Sequence, residues 1–121
     1  MIGRMSIPGR MPGLNEYVRA ERANRYAASK MKREQTERAG IAAVEQRMPK
    51  FPGRVEVAFT WVEPNRRRDM DNVAFAKKFI LDGLVRAGVI KDDTPRYVAG
   101  LSDRFEYDAA SPRVEVEVRS A

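Results

Sequence analysis

The sequence predicts an α+β fold in one domain. Residues 55–63 and 114–118 alternate apolar and polar side chains, as half-buried strands do, and residues 24–47 and 72–87 carry helix-forming patterns between proline- and glycine-marked breaks. At 121 residues the chain is a single domain, residues 1–121, on the usual span of roughly 100 to 200 residues per domain, with room for one modest core.

Taken in order, Gly3-Arg4, Pro8-Gly9-Arg10 and Pro12-Gly13 surround Met5-Ser6-Ile7. That predicts a short first strand and then an irregular loop. Residues 24–47 contain no proline and are rich in Ala, Arg, Lys, Glu and Gln, while their apolar stripe is thin. A long, largely exposed helix follows, with Gly40 as a point of interruption. Pro49 and Pro52-Gly53 end it. Val55, Val57, Phe59 and Trp61 then share one side of a strand over residues 55–63. Residues 72–87 read as a second helix with Gly88 as its left-handed C-cap. Residues 96–101 read as a strand, residues 103–111 as a polar hairpin or loop, and residues 114–118 as a final strand whose acids are solvated.

Composition narrows the chemistry. Lys and Arg number 23 against 17 Asp and Glu, a formal charge of +6, which favours a polyanionic partner, nucleic acid before a membrane surface. No apolar run approaches the roughly 20 residues that span a bilayer, and no secretory signal core is present, so the expectation is a soluble cytoplasmic protein without a membrane partner. The chain has no cysteine and no histidine. Disulfides, thiol nucleophiles, imidazole bases and nearly all zinc sites are thereby excluded, and any metal must be held by oxygen.

The densest chemical signal is Arg66-Arg67-Arg68-Asp69-Met70-Asp71-Asn72, where three guanidinium groups abut two carboxylates. Guanidinium forks grip phosphate oxygens, and paired carboxylates hold Mg²⁺ or Mn²⁺, so the stretch suits a metal-dependent cut in a phosphate backbone. A plainer reading makes the arginines a solvated charge run, with Asp71 or Asn72 capping the next helix. On a helical projection from Asp71 at about 100° per residue, Val73, Ala76, Ile80, Leu84 and Ala87 lie within about 40° of the opposite side. They form the predicted core face. Lys78 and Asp82 fall about 20° to either side of Asp71, whereas Lys77 lies about 120° away, which favours Lys78 as the site lysine. Phe75, Phe79, Leu81 and Val85 put apolar bulk on the flanks, to be covered by a second subunit or by the chain itself. A second acidic pair, Asp92-Asp93, sits in a turn just beyond the helix, where aspartates also occur for local hydrogen bonding.

This order of words resembles the RusA family of Holliday junction resolvases. The matching stretches are residues 66–72, Lys78 with Asp82-Gly83-Leu84, and Ala87-Gly88-Val89-Ile90-Lys91-Asp92-Asp93, with a weaker echo in residues 7–17, a Pro-rich loop leading to Asn15 and Tyr17. The resemblance implies a small mixed β-sheet with helices packed on it and a crossover junction endodeoxyribonuclease activity. It assigns metal binding to Asp69, Asp71 and Asp93, with Asp92 as a neighbour, and the essential lysine to Lys78. The stretch from Asp71 to Lys78 is longer here than in the family's pattern, which leaves Lys77 open beside it. Arg66, Arg67 and Arg68, with Lys77, would bind DNA.

What it further implies is Mg²⁺, with Mn²⁺ as a substitute, no small-molecule cofactor, a four-way DNA junction as substrate, a role in recombination and repair, and a homodimer that nicks two strands. Two other readings share these residues. One is a basic DNA-binding protein without catalysis; the other is a divalent-metal nuclease for a different nucleic acid. The arginines and lysines of residues 22–38 could line DNA or be a solvated face.

Overall fold

The computed structural model describes residues 1–121. Four strands form one mixed sheet in the order β1-β4-β2-β3, where β1 is Ile2–Pro8, β2 is Val55–Glu63, β3 is Val98–Tyr107 and β4 is Arg113–Ser120. β1 and β2 flank β4 antiparallel, and β2 pairs parallel with β3. Between β1 and β2 run helices α1, Leu14–Ala23, and α2, Arg25–Glu45; between β2 and β3 run a short α3, Met70–Ala74, and α4, Lys77–Arg86. The predicted α+β class and small mixed sheet are what the chain forms.

The period-two alternation places one row of side chains across three strands: Ile7, Val114 and Trp61 lie in register, as do Met5, Val116 and Phe59. All six are buried. Ala39, Ala42 and Ala43 of α2 and Phe79, Ile80 and Leu84 of α4 close over that face in the same core. The opposite face carries Arg4, Glu117 and Arg119 as an exposed ionic row.

Three sequence expectations change. The long helix is not interrupted at Gly40, because α2 crosses α4 at close range there: a Cβ on Gly83 would lie 2.7 Å from Ala39 Cβ and 2.8 Å from Gly40 N. Small residues let the two backbones meet, so the thin apolar stripe is a packing face, while the other side of α2 is exposed as expected. The second helix is broken at Phe75 and Ala76, where Ala76 N bonds Val73 O and Lys78 N bonds Phe75 O in tight three-residue turns. Residues 103–107 belong to β3 and not to a loop. As an edge strand with exposed side chains on both faces, β3 is polar enough to resemble a turn.

The apolar flanks of the broken helix are covered within the chain. Tyr17 of α1 sits 5.4 Å from Phe75 and 6.1 Å from Phe79, ring centre to ring centre, and Phe79 and Leu81 are buried. No helix is long and apolar enough to cross a membrane.

Candidate active site

The site is built on the carboxyl end of β2. Glu63 has the same parity as Val55, Val57, Phe59 and Trp61, so the strand turns an acid towards the core side, 6% exposed. A buried carboxylate requires cations and hydrogen bonds. Arg68 supplies a bidentate pair, Nε to Oε1 at 2.9 Å and Nη2 to Oε2 at 2.8 Å, and Arg10 Nη2 donates to Oε1 at 3.0 Å. Burial pushes the Glu63 carboxyl up, but the hydrogen bonds and charges of Arg68 and Arg10 outweigh it and hold the group below its ordinary value. Sequence reading passed over Glu63. The available signal was its parity, which puts an acid where the strand's other side chains are apolar.

Arg68 is therefore not the open phosphate clamp expected from its neighbours. Its remaining donor, Nη1, goes to Met11 O at 3.0 Å and to Glu16 at 3.1 Å, so the guanidinium ties the loop before α1 to the strand end. The same loop is held a second time. Asn15 N donates to Asn72 Oδ1 at 2.9 Å, and Gly13 packs so closely that a Cβ there would lie 2.6 Å from Asn72 Oδ1 and 2.7 Å from Asn72 O. Asn72 is thus a buried docking residue and not a helix cap; Asp69 stands at the N-cap position of α3 and makes no side-chain cap bond.

The remaining predicted residues divide into groups. Asp69 and Asp71 are both exposed at the start of α3, with Asp71 Oδ1 accepting from Asn72 N at 3.0 Å. Lys78, despite the break in the helix, meets Asp82 at 3.2 Å and Asp93 at 3.4 Å. Asp93 comes from the turn after α4, and Asp92 holds that turn by accepting from Asp93 N at 2.8 Å. Burial lowers the Lys78 ammonium's pKa, while the hydrogen bond and charge of Asp82 and then Asp93 more than offset it, so the net shift is upward. Lys78 is a cation at neutral pH and not a general base. No three acidic side chains stand close enough together to hold a metal ion. The acids form one pair on α3 and another bridged by Lys78.

Lys77 points elsewhere. Its ammonium pairs with Asp103 of β3 and lies 5.7 Å from the Phe59 ring centre, while Asp103 also accepts from Trp61 Nε1 at 2.8 Å. Lys77 thus fastens α4 to the sheet instead of standing open to DNA. Arg66 lies over the Tyr107 ring, 4.9 Å to its centre, and Arg67 is exposed. On α2, Arg38 donates to Pro8 O, Arg10 O and Gln35, so it too is a structural cation, whereas Lys30, Lys32 and Arg33 are exposed.

Strand end, broken helix and acidic turn lie within one continuous match. The family model for Endodeoxyribonuclease RusA covers residues 8–119. No curated protein matches the chain.

Proposed function

Because the chain belongs to the RusA endodeoxyribonuclease family, we propose that it is a Mg²⁺-dependent, structure-selective nuclease that resolves Holliday junctions in DNA recombination and repair. It acts in the cytoplasm as a homodimer. The observation that carries the reading is the meeting of Lys78 with Asp93, which bond across a sequence separation of 15 residues.

The donor set suits a hard divalent cation, since every acid in these groups is an aspartate and the chain has neither histidine nor cysteine. The family resemblance assigns the ion to Asp69, Asp71 and Asp93, but these three do not stand together as one group in this structure. To share an ion, Asp93 would have to leave Lys78 and approach the α3 pair. Mn²⁺ would substitute for Mg²⁺. Bound there, the metal would lower the pKa of a water and offset charge on phosphorus. The protein's own groups do the rest. Protonated Lys78 neutralises charge building on the phosphate or gives a proton to the leaving oxygen, while Asp82 orients the ammonium. Arg66 and Arg67 bind backbone phosphates, conferring affinity and salt dependence and no sequence reading. Two equivalent sites related by a two-fold axis match a four-way junction that must be nicked on two strands of like polarity.

Incubation with synthetic four-way junctions, splayed arms and linear duplex in Mg²⁺ tests the reading. Cutting confined to the four-way junction is expected; equal cutting of all three, or of none, refutes it. Asp71→Asn should abolish cleavage and leave junction binding intact, and retained cleavage would remove Asp71 from the metal site.

A further inference from the structure

We infer that Tyr107, with the Arg66 guanidinium against its ring, is a stacking platform for an unstacked nucleobase at the branch point of the DNA, within a few nucleotides of the phosphate to be cut. The inference rests on the junction-resolving reading above. Tyr107 is the last residue of β3 and pairs in register with Glu63, the last of β2. By parity it lies on the helix-bearing side of the sheet, yet it is 40% exposed while Glu63 is 6% exposed, because the helices do not extend over this corner of the edge strand. An aromatic ring is thus left open at the rim of the sheet from which the Asp69 segment departs.

Arg66 makes it more than a stray surface ring. Its Cζ lies 4.9 Å from the Tyr107 centroid, and only three positions separate it from Asp69, a reach of at most about 11 Å along the chain. With the Arg66 and Asp69 side chains and the spacing to the ring added, the limit is roughly 25 Å, or about seven base steps at 3.4 Å each, so a base on Tyr107 and a phosphate at the aspartates belong to one short stretch of DNA. Any base can stack on such a ring, since each has a π face, and an Arg laid on the aromatic adds cation–π attraction while its N–H groups remain available to phosphate. The platform also rests on fixed backbone. Asp108 N donates to Glu63 O at 2.8 Å, locking the ends of β2 and β3 together, and Glu63 is itself gripped by Arg68 and Arg10. A second Arg–Tyr pair, Arg25 with Tyr26, is more exposed, at 71% for the tyrosine. It stands at the start of α2, whereas Arg66 belongs to the segment that leads into Asp69, so the base is assigned to Tyr107.

The ligand expected is a base that has lost its stacking partner at a branch, and not one inside a paired arm. Four-way junctions carrying 2-aminopurine either at the branch or within an arm distinguish the two, with Ca²⁺ replacing Mg²⁺ so that binding is read apart from cutting. Wild type and Tyr107→Phe should change the fluorescence of the branch probe and not of the arm probe. Tyr107→Leu, which keeps apolar bulk without the ring, should lose that response and weaken junction binding by roughly 5- to 150-fold more than duplex binding. Tyr107→Trp, with a larger ring, should keep the response, which guards against a leucine variant that folds poorly. A Tyr107→Leu protein that behaves as wild type, a tryptophan variant that loses the signal, or an arm probe that responds like the branch probe overturns the platform. A wild-type protein with no preference for junction over duplex defeats the junction reading first, and the platform with it.

Discussion

Replacing Glu63 by glutamine tests the anchor beneath the site. The carboxylate is 7% exposed in its side chain and receives three hydrogen bonds from two arginines, one of which, Arg68, is 14% exposed in its side chain. Removing one member of a buried ion pair typically costs about 3–5 kcal/mol, since the other charge stays desolvated. Here Arg68 would keep Glu16, 44% exposed, and Arg10 is 39% exposed and can turn to water, so the expected cost is lower, about 2–4 kcal/mol. For a domain of this size that lowers Tm by roughly 6–20 °C. The sign with pH follows from the depressed carboxyl. Its folded-state pKa lies below the ordinary 4.5, so the stabilisation is fully present above 4.5 and is lost as the pH falls through the folded value. Urea unfolding of wild type and Glu63→Gln, at pH 7 and stepwise into acid, should show a wide gap that narrows below about pH 4.5. A gap under about 0.5 kcal/mol at neutral pH, or one that stays constant in acid, would refute the argument.

Gly83→Ala forces a methyl group to 2.7 Å from Ala39 Cβ and 2.8 Å from Thr36 O, between two helix backbones. It should destabilise by about 1–3 kcal/mol in urea titrations, and an unchanged midpoint would show that α2 and α4 can part. Lys78→Met should lower cleavage by about 100-fold or more while Lys77→Met lowers it far less, because Lys77 serves Asp103 and the sheet; equal losses in single-turnover assays would contradict the assignment. Replacing both Arg66 and Arg67 with alanine should reduce the slope of log affinity against log salt by about 2, as two phosphate contacts are lost. An unchanged slope would move the phosphate grip to the exposed lysines of α2.

Much of the fold was legible because its signals are local. The alternation of residues 55–63 and 114–118 decides which side chains face the core whatever the partners, and of the predicted helix face Val73, Ala76, Ile80 and Leu84 are buried despite the break at Phe75 and Ala76, while Ala87 is half-buried. The absence of cysteine and histidine, and the order of the acidic words, likewise belong to the chain itself. What could not be read depends on neighbours distant in sequence. Gly40 looks like a helix breaker until Gly83 is set against it, and the polar residues of β3 look like a loop until β2 supplies hydrogen bonds along one edge.

The arginine stretch shows the division most clearly. As a sequence, Arg66, Arg67 and Arg68 are three equivalent cations beside two aspartates. Folding gives them different work, because a carboxylate on the buried side of β2 captures one, the exposed ring of Tyr107 holds another, and Arg67 faces solvent. The two lysines of α4 part in the same way, Lys77 to the sheet and Lys78 to Asp82 and Asp93. Residue type and spacing determined which chemistry the chain can perform. Only the tertiary structure decided which charges are spent on holding the site together, because a charge's role depends on its desolvation and its partners, and both come from residues far along the chain.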